Sequence, residues 1–199
     1  MICVTNKRLC KDDFFRRIRL IAQAGSAILL REKDLTAAEY LRLAIVCKQL
    51  CEEEGSMFII NHQIGVAQKL KVDNIHMSVS ELRQIRHDLR EFQNVGVSVH
   101  TAKEAIEAEQ AGATYVIAGH IFETDCKKGV EGRGLLFLKQ VCQSVKIPVY
   151  AIGGINHARV ESIRLNGASG FCIMSELMTC DDPANTALSY QKKSDSLFL

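Results

Sequence analysis

Short, continuously apolar runs return along this chain at near-even spacing, and each leads into an amphipathic stretch. The runs are Ile2–Thr5, Ala27–Leu30, Met57–Ile60, Asn74–His76, Val95–Val99, Thr114–Ala118, Ile147–Ala151 and Gly170–Met174. A strand with one wet face alternates apolar and polar residues. A strand covered on both faces does not, and these runs are of the second kind. Helical patterns are clearest over 11–24, 36–54, 101–111, 135–145 and 156–166, and weaker over 63–70 and 79–85. Strict alternation of strand and helix predicts a parallel sheet with helical crossovers.

An internal echo points to closure of that sheet. Gln23-Ala24-Gly25-Ser26, Gln110-Ala111-Gly112-Ala113 and Leu165-Asn166-Gly167-Ala168 each end a helix with glycine just before an apolar strand. Their spacing fits a (β/α)8 repeat, so the expected fold is a compact TIM barrel in one domain over 1–199. A doubly wound open sheet is the rival, but regular units without a long insertion favour the barrel. The segment 191–199 is polar and weakly patterned, and is expected to fray.

Composition closes off several functions. Among 199 residues the formal charge is only +2, which argues against a nucleic-acid binder that must neutralise many phosphates. No apolar run is long enough to span a bilayer, and charges at Lys7, Arg8, Lys11 and Asp12 interrupt any leader-like opening. A cytoplasmic protein with no membrane or nucleic-acid partner is expected. Of the 8 cysteines none forms a Cys-x-x-Cys pair. Cys47 and Cys51 lie one helical turn apart, but a zinc site there needs two further ligands that the neighbourhood does not offer. Reduced, mostly buried thiols are the simpler reading, and no metal is expected. Small barrels often associate through helix faces, so a homo-oligomer is allowed.

In a barrel of this kind the residues just after each strand form the active face. Here they are polar: Arg31 and Lys33 after the second strand, Asn61-His62 after the third, Ser98 and His100 at the fifth. The sixth runs into Gly119-His120 and then Thr124, Cys126 and Lys127, and the last into Met174-Ser175. Arg31 and Lys33 are two apart, so an extended segment points both the same way. Gly153 and Gly154 after the seventh strand suit a phosphate, because glycine backbone N–H groups can approach its oxygens closely. A tight turn alone would also explain them. His120 directly follows Gly119 at a strand end, and its ordinary pKa near 6.5 suits reversible proton transfer. His87, among Arg83, Arg86 and Arg90, reads as a solvated face.

Several motifs in order resemble the thiamin-phosphate synthase/TenI superfamily over nearly the whole chain. They are Leu30-Arg31-Glu32-Lys33, Ile60-Asn61, Gly96-Val97-Ser98-Val99-His100-Thr101 and Tyr115 through Gly119. Phe122-x-Thr124-x-Cys126-Lys127, Pro148 through Ile155 and Asn166-Gly167-Ala168 complete the set. The synthase pattern within this superfamily has an aspartate after the third-strand asparagine and another after the fourth strand, which hold Mg²⁺ against pyrophosphate. This chain has His62 at the first place, and His76-Met77-Ser78-Val79-Ser80-Glu81 over the second. Gly-His-Ile-Phe with Thr-x-Cys-Lys resembles the thiazole tautomerase branch instead.

That resemblance implies a cofactor-free isomerase that aromatises a carboxythiazole phosphate, with His120 as the catalytic proton-transfer group. It implies phosphate contacts at Gly153, Gly154 and Ser175, and further substrate contacts at Arg31, Lys33, Asn61, Ser98, His100, Thr124, Cys126, Lys127 and Met174. The alternatives are a Mg²⁺-dependent thiamin-phosphate synthase and a non-catalytic regulatory protein that binds a phosphate ligand.

Overall fold

The structure, a computed structural model, describes residues 1–85, 89–124 and 129–198. Its strands are β1 (Ile2–Val4), β2 (Ala27–Leu30), β3 (Phe58–Asn61), β4 (Asn74–Ser78), β5 (Asn94–Val99), β6 (Tyr115–Gly119), β7 (Val149–Ile152) and β8 (Gly170–Ile173). They hydrogen-bond in chain order and close into the expected eight-stranded barrel. The helices are α1 (Phe14–Gln23), α2 (Ala37–Glu53), α3 (Ile64–Leu70), α4 (Val79–Gln84), α5 (Ala102–Gln110), α6 (Gly134–Ser144), α7 (Val160–Leu165), α8 (Ser175–Thr179) and α9 (Pro183–Phe198). Backbone contacts group the chain into two compact units, one of Met1–Ile75 with Ile173–Lys192, the other of His76–Cys172 with Lys193 onward.

In the first unit β1 pairs parallel with β2, Ile2 facing Ala27, and β2 with β3, Ile28 facing Phe58. α1 begins at Phe14 because the Asp13 carboxylate accepts from the Arg16 N–H at 2.9 Å. α2 begins after Thr36, whose hydroxyl accepts from Glu39 N–H while the Glu39 carboxylate accepts from Thr36 N–H. Such a cap contributes about 1 kcal/mol. α1 packs on α2, and α2 on β2 and β3, burying Ile18, Ile21, Ala44 and Cys47 completely. Each large aliphatic so buried stabilises the fold by roughly 1.5–3 kcal/mol.

Arg17, on α1, is only 4% exposed. Its Nε and Nη2 each donate to Asp12 at 2.8 Å, and it also reaches the carbonyls of Leu177 and Cys180 at 2.9 Å, which ties α1 to the end of α8.

The segment expected to fray falls, as far as residue 198, within a helix. Residues 191–198 continue α9, which opens on Pro183 with the Asp182 carboxylate accepting from Asn185 N–H at 3.0 Å. Proline at the first helical position, behind a capping aspartate, starts a helix efficiently. Tyr190, fully buried, and Ser194 carry its inner face beyond the short apolar pattern visible in the sequence.

In the second unit β5, β6, β7 and β8 pair in parallel, with Gly96 facing Tyr115, Val116 facing Val149, and Tyr150 facing Gly170. Gly96 is a matter of space: a Cβ there would lie 2.0 Å from Tyr115 Cζ and 2.4 Å from His76 Nδ1. The helix expected over 156–166 opens instead as a 3₁₀ turn, His157–Arg159, with α7 beginning at Val160. The Asn156 side chain accepts from Arg159 N–H at 3.2 Å and sets that start.

Candidate functional site

In the first unit the ends of β2 and β3 are fixed by one phenol. Tyr40, buried on α2, donates to the Leu30 carbonyl at 2.6 Å and accepts from the Asn61 N–H at 3.2 Å. Asn61 is itself buried. Glu32 turns back to the chain start, accepting from the Thr5 hydroxyl at 2.7 Å and from Lys7 N–H at 3.0 Å. The Thr5 hydroxyl in turn accepts from Arg31 N–H at 2.9 Å. Arg31 is half-buried just beyond β2, and Lys33 is exposed in the turn that follows, so the extended geometry expected for the pair ends before Lys33. Among the described residues neither cation forms an ion pair. Met174 and Ser175, half-buried, stand at the start of the five-residue α8.

In the second unit the glycine turn after β7 is built from both sides. Gly153 and Gly154 have φ of 102° and 62°, which side chains rarely adopt. A Cβ on Gly153 would lie 2.4 Å from His120 Cβ, and one on Gly154 would lie 2.3 Å from the Glu123 carbonyl oxygen. Close packing on the segment after β6 therefore accounts for both glycines without a ligand. The hydrogen bonds add something the packing does not. Ile121 and Phe122 N–H donate to the carbonyls of Ile152 and Gly153 at 2.9 and 3.0 Å. Across a trans peptide the N–H points opposite to its carbonyl. The N–H groups of Gly153 and Gly154 therefore face away from the β6 segment, and among the described residues neither donates to a partner.

The histidines are held in place. His76, 3% exposed on β4, shares hydrogen bonds with the Ser98 hydroxyl at 2.8 Å and the Tyr115 hydroxyl at 3.3 Å. Burial pushes the Tyr115 phenol up, so it stays neutral. Ser98, half-buried, thus has its hydroxyl oriented from behind. His100 is exposed, with Nδ1 donating to the Gly119 carbonyl at 2.8 Å. His120 is 5% exposed, and its Nε2 donates to the carbonyls of Val130 and Glu131 at 3.3 and 3.0 Å. That imidazole ties the chain beyond β6 back onto the strand end. Thr124 is half-buried; Cys126, Lys127 and His87 lie outside the described residues.

Tyr40 and Arg159 escaped the reading of the sequence. Arg159 donates from Nη1 to the Gly154 carbonyl at 2.5 Å and lies over the Phe122 ring, 4.6 Å from its centroid. A helical tyrosine ten residues after a strand end, and an arginine five residues after a glycine pair, carry no distinctive signature in a single sequence.

The strand order defines the class: a closed parallel (β/α)8 barrel. The family model described as TMP-TENI, thiamine monophosphate synthase, matches residues 1–177, and the chain belongs to that family. The thiamine-phosphate synthase of Clostridium acetobutylicum is 31% identical over 97% of this chain and 95% of its own length. That of Methanosarcina barkeri is 34% identical over 90% of this chain and 83% of its own. The solved thiamine phosphate pyrophosphorylase from Pyrococcus furiosus superposes with a TM-score of 0.85 at 27% identity, covering 98% of this chain and 95% of that one.

These relatives overturn the expected thiazole tautomerase: over most of the chain the similar curated proteins are named synthases. The motif behind that expectation also looks different in place, because the Nε2 of His120 is spent on two backbone carbonyls.

The Mg²⁺ implied by the synthase pattern does not fit the residues present. His62 at the first place is not a hard oxygen anion, and beyond the fourth strand the Glu81 carboxylate accepts from Ser78 N–H and its hydroxyl at 2.8 and 2.7 Å to cap α4. Among the described residues no three His, Cys, Asp or Glu side chains gather as a metal site.

Proposed function

We propose that this chain is a thiamine-phosphate synthase, a transferase that joins a pyrimidine pyrophosphate to a thiazole phosphate and releases pyrophosphate. The observation that carries this reading is the 31% identity with the Clostridium acetobutylicum synthase across 97% of the chain. In the second unit, the Gly153 and Gly154 N–H groups seat a phosphate, with the hydroxyl of Ser98 oriented by His76 for a polar group of the ligand. In the first unit, Arg31 and Lys33 offer two positive charges to an anion. Fixed cations beside a departing pyrophosphate lower the barrier, because they meet its charge without reorganising.

The test is growth. A strain lacking its own thiamine-phosphate synthase, supplied with this chain in soluble form, grows without added thiamine if the proposal is right. Absence of growth with the protein present counts against it. One observation favours a second reading, a protein that binds the phosphate ligand without turnover: His62 stands where the synthase pattern has the first of its two acids. Its signature is tight binding of the thiazole phosphate with no condensation.

A further inference from the structure

Three successive peptide planes follow β7, and each has its carbonyl taken. The Ile152 and Gly153 carbonyls accept from the Ile121 and Phe122 N–H groups, and the Gly154 carbonyl accepts from Arg159 Nη1 at 2.5 Å. Arg159 lies over the Phe122 ring, so all three carbonyls turn toward the segment after β6. Planarity then turns the N–H groups of Gly153, Gly154 and Ile155 to the other side. Among the described residues none of the three donates to a partner, and Ile155 is only 8% exposed. Gly153 and Gly154 are half-buried, so these donors can reach an acceptor that arrives from outside the packed core.

We propose that Arg159 is a positioning residue for phosphate: by holding the Gly154 carbonyl it fixes the third plane and adds the Ile155 N–H to the two glycine donors. The proposal rests on the reading that this turn seats a phosphate. Arg159 suits the task because its guanidinium is planar, stacks on Phe122 and still donates along its edge. The first two planes are held by backbone alone, which no side-chain substitution removes. The third is held by this side chain.

The experiment titrates inorganic phosphate into the ¹⁵N-labelled full chain and follows the amides of Gly153, Gly154 and Ile155. In the unaltered protein all three shift together. In Arg159→Met the phosphate Kd weakens about tenfold, the scale of one charge-assisted hydrogen bond, and Ile155 stops responding while the glycines still shift. Arg159→Lys, which keeps a donor but loses the stack, falls between. If the methionine variant does not fold, the lysine variant decides alone, a weakened Kd supporting the proposal and an unchanged one overturning it. Unchanged affinity with all three amides responding in Arg159→Met overturns it, as does phosphate that leaves these amides unmoved in the unaltered chain. Condensation by the unaltered enzyme is scored separately, so failure of the synthase reading is told apart from failure of this one.

Discussion

Tyr40→Phe removes one oxygen and little else, which makes its cost calculable. The ring is 1% exposed and stays buried, so the apolar contribution is unchanged. What disappears is the 2.6 Å bond to the Leu30 carbonyl and the 3.2 Å bond from the Asn61 N–H. Each buried group left unsatisfied costs roughly 1–3 kcal/mol, so the pair costs about 3 kcal/mol. At this chain length roughly 2–4 °C of Tm follows each kcal/mol, and Tm falls by about 6–12 °C. Urea titration is the assay. The midpoint moves down with the slope unchanged, because the unfolded surface is the same. A loss below about 0.5 kcal/mol refutes the argument, since it would mean that the two backbone groups find other partners.

Three further outcomes follow from the same geometry. Gly96→Ala forces a Cβ to within 2.0 Å of the Tyr115 ring, and urea titration should show a loss of about 1–3 kcal/mol; an unchanged midpoint contradicts it. Arg17→Met leaves the Leu177 and Cys180 carbonyls without their donor and lowers stability by about 2 kcal/mol, with a melt within 1 °C of the parent as the contrary result. Burial pushes the Cys51 and Cys172 thiols up from 9.0 to about 12, and Cys142 to about 11. Their folded pKa values are raised, so this stability is complete below pH 9 and is lost as pH climbs from there through about 11 and 12. Denaturation midpoints that stay level from pH 8.5 to 11 would contradict it.

The barrel was legible because most strands are short and apolar on both faces and alternate with longer amphipathic stretches; β4, with Asn74, His76 and Ser78 at alternate positions, is the exception. Strand ends were equally legible: Arg31, Asn61, Ser98 and Gly153 all sit directly after or at the end of a strand. What lay hidden depends on partners distant in sequence. Tyr40 matters for where its hydroxyl lands, and Arg159 for folding back on Gly154. Helix α9 was missed because its buried face is carried by Ala187, Tyr190 and Ser194, which look polar or small in the sequence. The Gly-His-Ile-Phe motif misled for a related reason: adjacency to a strand end says where an imidazole starts, while the carbonyls of Val130 and Glu131 decide where it points.

Condensation by the purified chain tests the central claim most directly. A pyrimidine pyrophosphate and a thiazole phosphate are mixed with it, and thiamine phosphate and released pyrophosphate are both measured. Equal amounts of the two products, rising with enzyme concentration and absent without either substrate, are what the synthase assignment predicts. Tight retention of the thiazole phosphate with neither product formed would contradict it.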